Sequence, residues 1–135
     1  MDHYTTDAVG FLLYLVDDLE PTANGCYQRA EHDECVIELP AIAAVETLYW
    51  IGKGHDLRGI ALTSTPEEVV RGLETFLPVM IVECGFEEVR LIPGLVADLS
   101  IHDAMITASH RARETEGVIT TDTEIDDLGV PVVWE

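Results

Sequence analysis

Short apolar runs alternate with longer helical ones along the chain, and this alternation predicts an α/β protein. His3–Thr6 reads as a strand, followed by an apolar helix over Ala8–Val16. Pro21 opens a second helix that reaches about His32, and Cys35–Leu39 is a second strand. Pro40 stands at a favourable first helical position for a helix running to about Ile51, ended by Gly52-Lys53-Gly54. The clearest local signal is Thr65-Pro66-Glu67-Glu68. Thr65 caps, Pro66 fits the first turn and Glu68 completes a capping box, so a helix should run to about Phe76. Val79–Glu83 is a third strand, followed by a helix broken near Pro93-Gly94. Ser100 caps a helix through Thr115, Val118–Thr121 is a fourth strand and Val130–Trp134 a fifth. Strands separated by helices imply a mainly parallel sheet of four or five strands covered by helices on both faces. In such sheets ligands collect outside the carboxyl ends of the strands.

Composition narrows the class. A chain of 135 residues is enough for one compact domain, residues 1–135, with a real core. No apolar run approaches the roughly 18 residues of a membrane helix. Val9–Val16 is short and lacks a basic front end, which argues against a signal peptide. Cys26, Cys35 and Cys84 are odd in number and lack ligand spacing, against both a disulfide framework and zinc; a reducing cytoplasm is the expected compartment. Seven Lys plus Arg face 26 Asp plus Glu, and Lys53 is the only lysine. The acids are spread along the chain, not gathered in a tail, which favours a halophile's solvated surface over an acidic partner surface. In molar salt the Debye length falls to about 3 Å and screens this repulsion, so stability is expected to fall when salt is removed.

Within that acidity, four positions stand out: Asp7, Glu46, Asp103 and Asp122. Asp7 and Asp122 close predicted strands, at the end of the sheet where ligands gather. Each also suits a helix cap: Asp7 before Ala8, Asp122 before Thr123-Glu124-Ile125, and Asp103 within an S-x-x-D pattern from Ser100. Glu46 resists that account. At helical spacing its neighbours are Ile42, Ala43, Tyr49 and Trp50, a core face, and an unpaired buried carboxylate is costly. No basic residue lies three or four positions away, so Glu46 is protonated, bound to a cation or paired with a distant residue such as Arg111 or Arg113. If the four converge, their repulsion raises their pKa values and a divalent cation reverses that effect. Carboxylates without His or Cys select Mg²⁺ or Mn²⁺, which can activate water against a phosphodiester.

These segments resemble the PIN-domain ribonucleases, and more narrowly the VapC-type toxins of toxin–antitoxin pairs. The resemblance spans nearly the whole chain. It rests on Tyr4-Thr5-Thr6-Asp7-Ala8-Val9, on the helical Glu of Pro40-Ala41-Ile42-Ala43-Ala44-Val45-Glu46-Thr47, on Ser100-Ile101-His102-Asp103-Ala104, and on Gly117-Val118-Ile119-Thr120-Thr121-Asp122-Thr123-Glu124. It implies a PIN-like three-layer α/β sandwich. It also implies an acidic metal site of Asp7, Glu46, Asp103 and Asp122, supported by the Thr120 hydroxyl and joined by a further acid, Glu124 or Asp126. The family's Ser or Thr two residues after the first Asp is Val9 here. The implied activity is Mg²⁺- or Mn²⁺-dependent endoribonuclease on structured RNA such as tRNA or rRNA. A homodimer and a cognate antitoxin are the implied partners.

The scarcity of cations is the counterweight, since phosphate contacts dominate nucleic-acid affinity. The available ones are Arg29, Lys53, Arg58, Arg71, Arg90, Arg111 and Arg113; Arg111 and Arg113, on the helix of Asp103, are within possible reach of a phosphate. His102 reads as a neighbour of the site; His110 lies about 80° from it around the helix. His3, His32 and His55 read as surface or structural, and Tyr49 and Trp50 as core more than as a base-stacking platform. Two rivals remain: a non-catalytic PIN-like protein-binding module, and a solitary RNA-processing nuclease. A phosphohydrolase with Asp7 as nucleophile is disfavoured, because Asp7-Ala8-Val9 holds no second Asp.

Overall fold

The computed structural model describes residues 1–135. Its elements in order are β1 (His3–Thr6), α1 (Ala8–Leu15), α2 (Pro21–Glu31), β2 (Val36–Pro40), α3 (Ala41–Gly52), α4 (Pro66–Thr75), β3 (Met80–Val82), α5 (Phe86–Leu91), a 3-10 turn at Ile92–Gly94, α6 (Ile101–Arg113), β4 (Val118–Ile119), α7 (Thr123–Asp127) and β5 (Val132–Val133). The five strands form one sheet in the order β3-β2-β1-β4-β5, every neighbouring pair parallel. The α/β class and the parallel sheet flanked by helices are those the alternating pattern predicts. β1 is central, with Thr5 in register with Glu38 on one side and Val118 on the other.

Burial follows the apolar runs. Phe11, Leu12 and Leu13 of α1, Tyr27 of α2, Ile37 and Leu39 of β2, Val118 and Ile119 of β4 and Ile106 of α6 belong to one core cluster. The capping box of Thr65 and Glu68 forms as expected.

Several boundaries differ from expectation for local reasons. Pro40 closes β2 and caps α3 instead of opening the helix: its φ of −57° suits either role, but its ψ of 142° is extended. β4 stops at Ile119, not Thr121, because the Thr120 hydroxyl accepts the Asp122 N–H at 3.0 Å and draws the chain out of the ladder. α6 stops at Arg113, not Thr115, because Glu114 turns left-handed at φ 54° and the Thr115 N–H reaches back to the His110 carbonyl. β5 narrows to Val132–Val133, between the Pro131 and Trp134 carbonyls that bond Val118 and Ala23. No helix is long and apolar enough to cross a membrane.

Candidate metal centre

β1 delivers Asp7 to the carboxyl end of the sheet, where it caps α1. Its Oδ1 accepts the Gly10 N–H at 2.7 Å, and its Oδ2 accepts the Thr120 hydroxyl. Its own N–H bonds the Ile119 carbonyl at 3.2 Å, tying β1 to β4. Gly10 is required by crowding: a Cβ there would meet Thr6 Oγ1 at 2.9 Å, the Ile119 carbonyl at 3.1 Å and Asp7 Oδ1 at 3.2 Å. Asp7 is buried, and burial pushes its carboxyl up to about 6, helped by the charges of Glu46 and Asp122 and opposed by the Thr120 and Gly10 hydrogen bonds.

Two further helix starts converge on it. Asp122 caps α7, its Oδ1 accepting the N–H groups of Glu124 at 2.7 Å and Ile125 at 3.1 Å. Asp103, in the first turn of α6, receives the Ser100 hydroxyl on Oδ2 at 3.1 Å. Burial raises the Asp103 carboxyl to about 7, and the neighbouring Asp122 carboxylate adds to the shift. Oxygen atoms of Asp103, Asp122 and Glu124 lie within 4.8 Å of one another. Asp126, the alternative to Glu124, is not in this group. Capping and clustering therefore coexist for Asp103 and Asp122. Asp7 and Glu46 fall outside the close group, although Asp7 feels the charges of Glu46 and Asp122.

Glu46 corrects an expectation. Its side chain is 37 % exposed rather than buried, and His102 Nδ1 stands 3.5 Å from its Oε1, in place of Arg111 or Arg113. The buried side of α3 is Ala43, Ala44, Thr47 and Ile51. Thr47, next in sequence to Glu46, enters the core by returning its hydroxyl to the Ala43 carbonyl at 2.8 Å. The helix is thus rotated by about one residue from the face its apolar composition suggests. The same rotation leaves Tyr49 exposed, against expectation, while Trp50 stays partly buried beside His55. Val9 packs against the core and supplies no hydroxyl at that position.

Arg113 is the second correction. Its Nε donates to Glu38 Oε1 at 2.6 Å and its Nη2 to Oε2 at 3.4 Å, so it is not available to a phosphate. His3 Nδ1 joins the same carboxylate at 2.8 Å. This network around one buried carboxylate is absent from the sequence expectations, although a charged residue inside the apolar strand Val36-Ile37-Glu38-Leu39 is its signal.

No Lys or Arg forms an ion pair with Asp7, Glu46, Asp103, Asp122 or Glu124. A group of carboxylates held by neutral donors, two of them driven toward protonation, fits a hard divalent cation, whose charge would stabilise the ionised forms. No nitrogen or sulfur ligand belongs to the group of close oxygens.

No family model matches the chain, and no curated protein matches it by sequence. Solved structures do, and they define the class of fold as PIN-like. A chain in the crystal structure of VapBC2 from Rickettsia felis bound to a DNA fragment from their promoter aligns with a TM-score of 0.67 at 14% identity, covering 98% of this chain and 99% of that one.

Proposed function

We propose that this chain is a divalent-metal-dependent endoribonuclease, the toxin of a type II toxin–antitoxin pair. One observation carries the reading: Asp7 is a buried carboxylate with no cation, at the carboxyl end of a PIN-like sheet, facing further acids. Asp7, Glu46, Asp103 and Asp122, with Glu124, would hold Mg²⁺ or Mn²⁺. The bound ion would activate a water and neutralise charge building on the phosphodiester.

The chain's own residues prepare that site. Thr120 and Gly10 aim the two Asp7 oxygens, and Ser100 fixes Asp103 Oδ2. The N–H groups of Glu124 and Ile125 hold Asp122 Oδ1 and leave Oδ2 free of backbone bonds. His102, half-exposed, stands 3.5 Å from Glu46. The likeness to a VapBC2 chain supports the toxin–antitoxin setting at the level of fold. An antitoxin segment bearing Arg would complement the acidic cluster through charge-assisted bonds. A homodimer, a cytoplasmic setting, a halophilic source and a structured RNA substrate such as tRNA or rRNA belong to the same proposal.

The test is Mn²⁺ calorimetry together with cleavage of structured RNA. Binding and cleavage are expected in the wild type, with cleavage lost in Asp7→Asn and Asp103→Asn. Metal-dependent cleavage that survives both substitutions overturns the reading, and Mn²⁺ binding without turnover favours the non-catalytic binding module.

A further inference from the structure

We infer that the exposed face of α3 and the turn after it form a track for a single-stranded RNA segment entering the acidic site, with Tyr49 stacking a base and Lys53 and Arg58 holding phosphates. The inference rests on the nuclease reading above and adds where the substrate lies.

Charge is the first observation. The molecule carries a formal net charge of −19, yet between Glu46 and Glu67 the only acid is Asp56, against Lys53 and Arg58. Lys53 and Arg58 are exposed and form no ion pair, a state shared by Arg71 and Arg111 elsewhere on the surface, whereas Arg29, Arg90 and Arg113 are each engaged by an acid. A polyanion approaching this surface is repelled over most of it, and this strip is an acid-poor route to the site.

Geometry is the second. Glu46 and Tyr49 lie on α3 and Lys53 caps its end, three and seven positions after Glu46, so by helix geometry the three fall within about 60° of one another around the axis. Tyr49 follows Glu46 by about one turn and Lys53 by about two, a rise of roughly 10 Å. Tyr49 is 66% exposed, as Phe76 and Phe86 are elsewhere, while the adjacent Trp50 is partly buried and packs beside His55 with ring centroids 5.1 Å apart. An exposed aromatic ring one turn from Glu46, with Lys53 a further turn on and Arg58 in the segment that follows, is the combination of stacking platform and backbone contact that single-stranded nucleic acid requires. Stacking accepts any base, and the two cations add the salt-sensitive part.

The experiment is steady-state cleavage of a fluorescent single-stranded oligoribonucleotide with Mn²⁺ over a range of KCl. Tyr49→Ala is expected to raise KM about tenfold, in line with the loss of one stacked base, with kcat nearly unchanged and Tyr49→Phe restoring the wild-type value. Lys53→Gln with Arg58→Gln is expected to raise KM and to flatten the dependence of log KM on log salt by about 1.4, two single-strand phosphate contacts. Folded variants with unchanged KM and unchanged salt slope overturn the track, as a surface that serves a protein partner would show. If the wild type cleaves neither this oligonucleotide nor structured RNA, the nuclease reading fails separately. Anisotropy with the same oligonucleotide then decides the track: weaker binding by the variants supports it, and equal binding overturns it.

Discussion

Glu38 on β2 and Asp7 just beyond the end of neighbouring β1 are buried carboxylates, and the fold treats them in opposite ways. Glu38, 2% exposed, receives the Arg113 guanidinium on both oxygens and His3 on one of them. The arrangement is reciprocal, since the Glu38 hydrogen bond pushes the Arg113 pKa further up. Asp7, 8% exposed, receives only neutral donors, from Gly10 and Thr120, and faces the negative charges of Glu46 and Asp122. The first carboxylate is neutralised within the chain. The second is left short of positive charge, which is the condition under which an external cation gains most. Burial alone does not mark a functional acid; burial without a cation does.

The comparison breaks first at Arg113. Arg113→Ala leaves Glu38 buried with His3 alone, and a loss of about 3 kcal/mol in urea unfolding is expected, near the low end for a broken buried pair because His3 remains. Replacing both partners together, Glu38→Leu with Arg113→Met, should recover most of that loss. Mn²⁺ affinity should be unchanged in the double variant; a large fall would mean the two networks are one. Asp7→Asn should do the reverse. Metal affinity and cleavage are expected to fall by about 100-fold or more, at least the loss seen on removing a supporting group of a metal ligand, while metal-free stability at pH 8 is unchanged or higher. A destabilised Asp7→Asn protein of unchanged Mn²⁺ affinity would place Asp7 with Glu38 as a structural acid.

The contrast was only half legible in the sequence. Strand–helix alternation and turn chemistry located the elements, because those signals are local: Thr65 and Glu68 cap, and Ser100 starts α6, whatever the rest of the chain does. Asp7 and Asp122 could be placed at strand ends for the same reason. The pairing of Glu38 with Arg113 spans 75 residues, and nothing local announces it. The orientation of α3 was misread because a helix apolar on every side carries no amphipathic stripe, and Thr47 can be buried by bonding its own preceding turn. Hence Glu46, which the pattern made the most buried acid, is half-exposed, and Asp7, which looked like an ordinary cap, is the buried one.

Titration sharpens the comparison further. The Asp7 carboxyl moves from 3.8 to about 6 and the Asp103 carboxyl from 3.8 to about 7. A carboxyl with a raised folded pKa binds its proton more tightly in the native state, so metal-free stability is highest below about pH 4 from this source. It falls as pH rises to about 6 for Asp7 and about 7 for Asp103. The wild-type curve measured against Asp7→Asn, in EDTA, should differ by about 3 kcal/mol across the Asp7 window. Metal reverses the sign, because it binds the ionised forms. Mn²⁺ affinity from calorimetry should therefore rise from pH 5 to about 7.5 and then level. A difference curve that is flat between pH 4 and 6 would show that Asp7 is not held above its ordinary range.

The smallest effect separates the Thr120 hydroxyl, which serves Asp7, from the Thr5 hydroxyl, which bonds no carboxylate. Thr120 is fully buried; its hydroxyl donates to Asp7 Oδ2 and accepts the Asp122 N–H, so one side chain sets two of the clustered acids. Thr5 and Thr115 make a comparable buried pair at 2.8 Å, and Thr5 lies in register with Glu38. Thr120→Val and Thr5→Val each remove one hydroxyl from the core and should each cost about 1 kcal/mol of stability. Only Thr120→Val is expected to weaken Mn²⁺ binding, by about tenfold as for a group that orients a metal ligand, with Thr120→Ser restoring it. Equal metal affinities in the two Val variants would mean that Thr120 closes the turn after β4 and does nothing for Asp7 beyond packing.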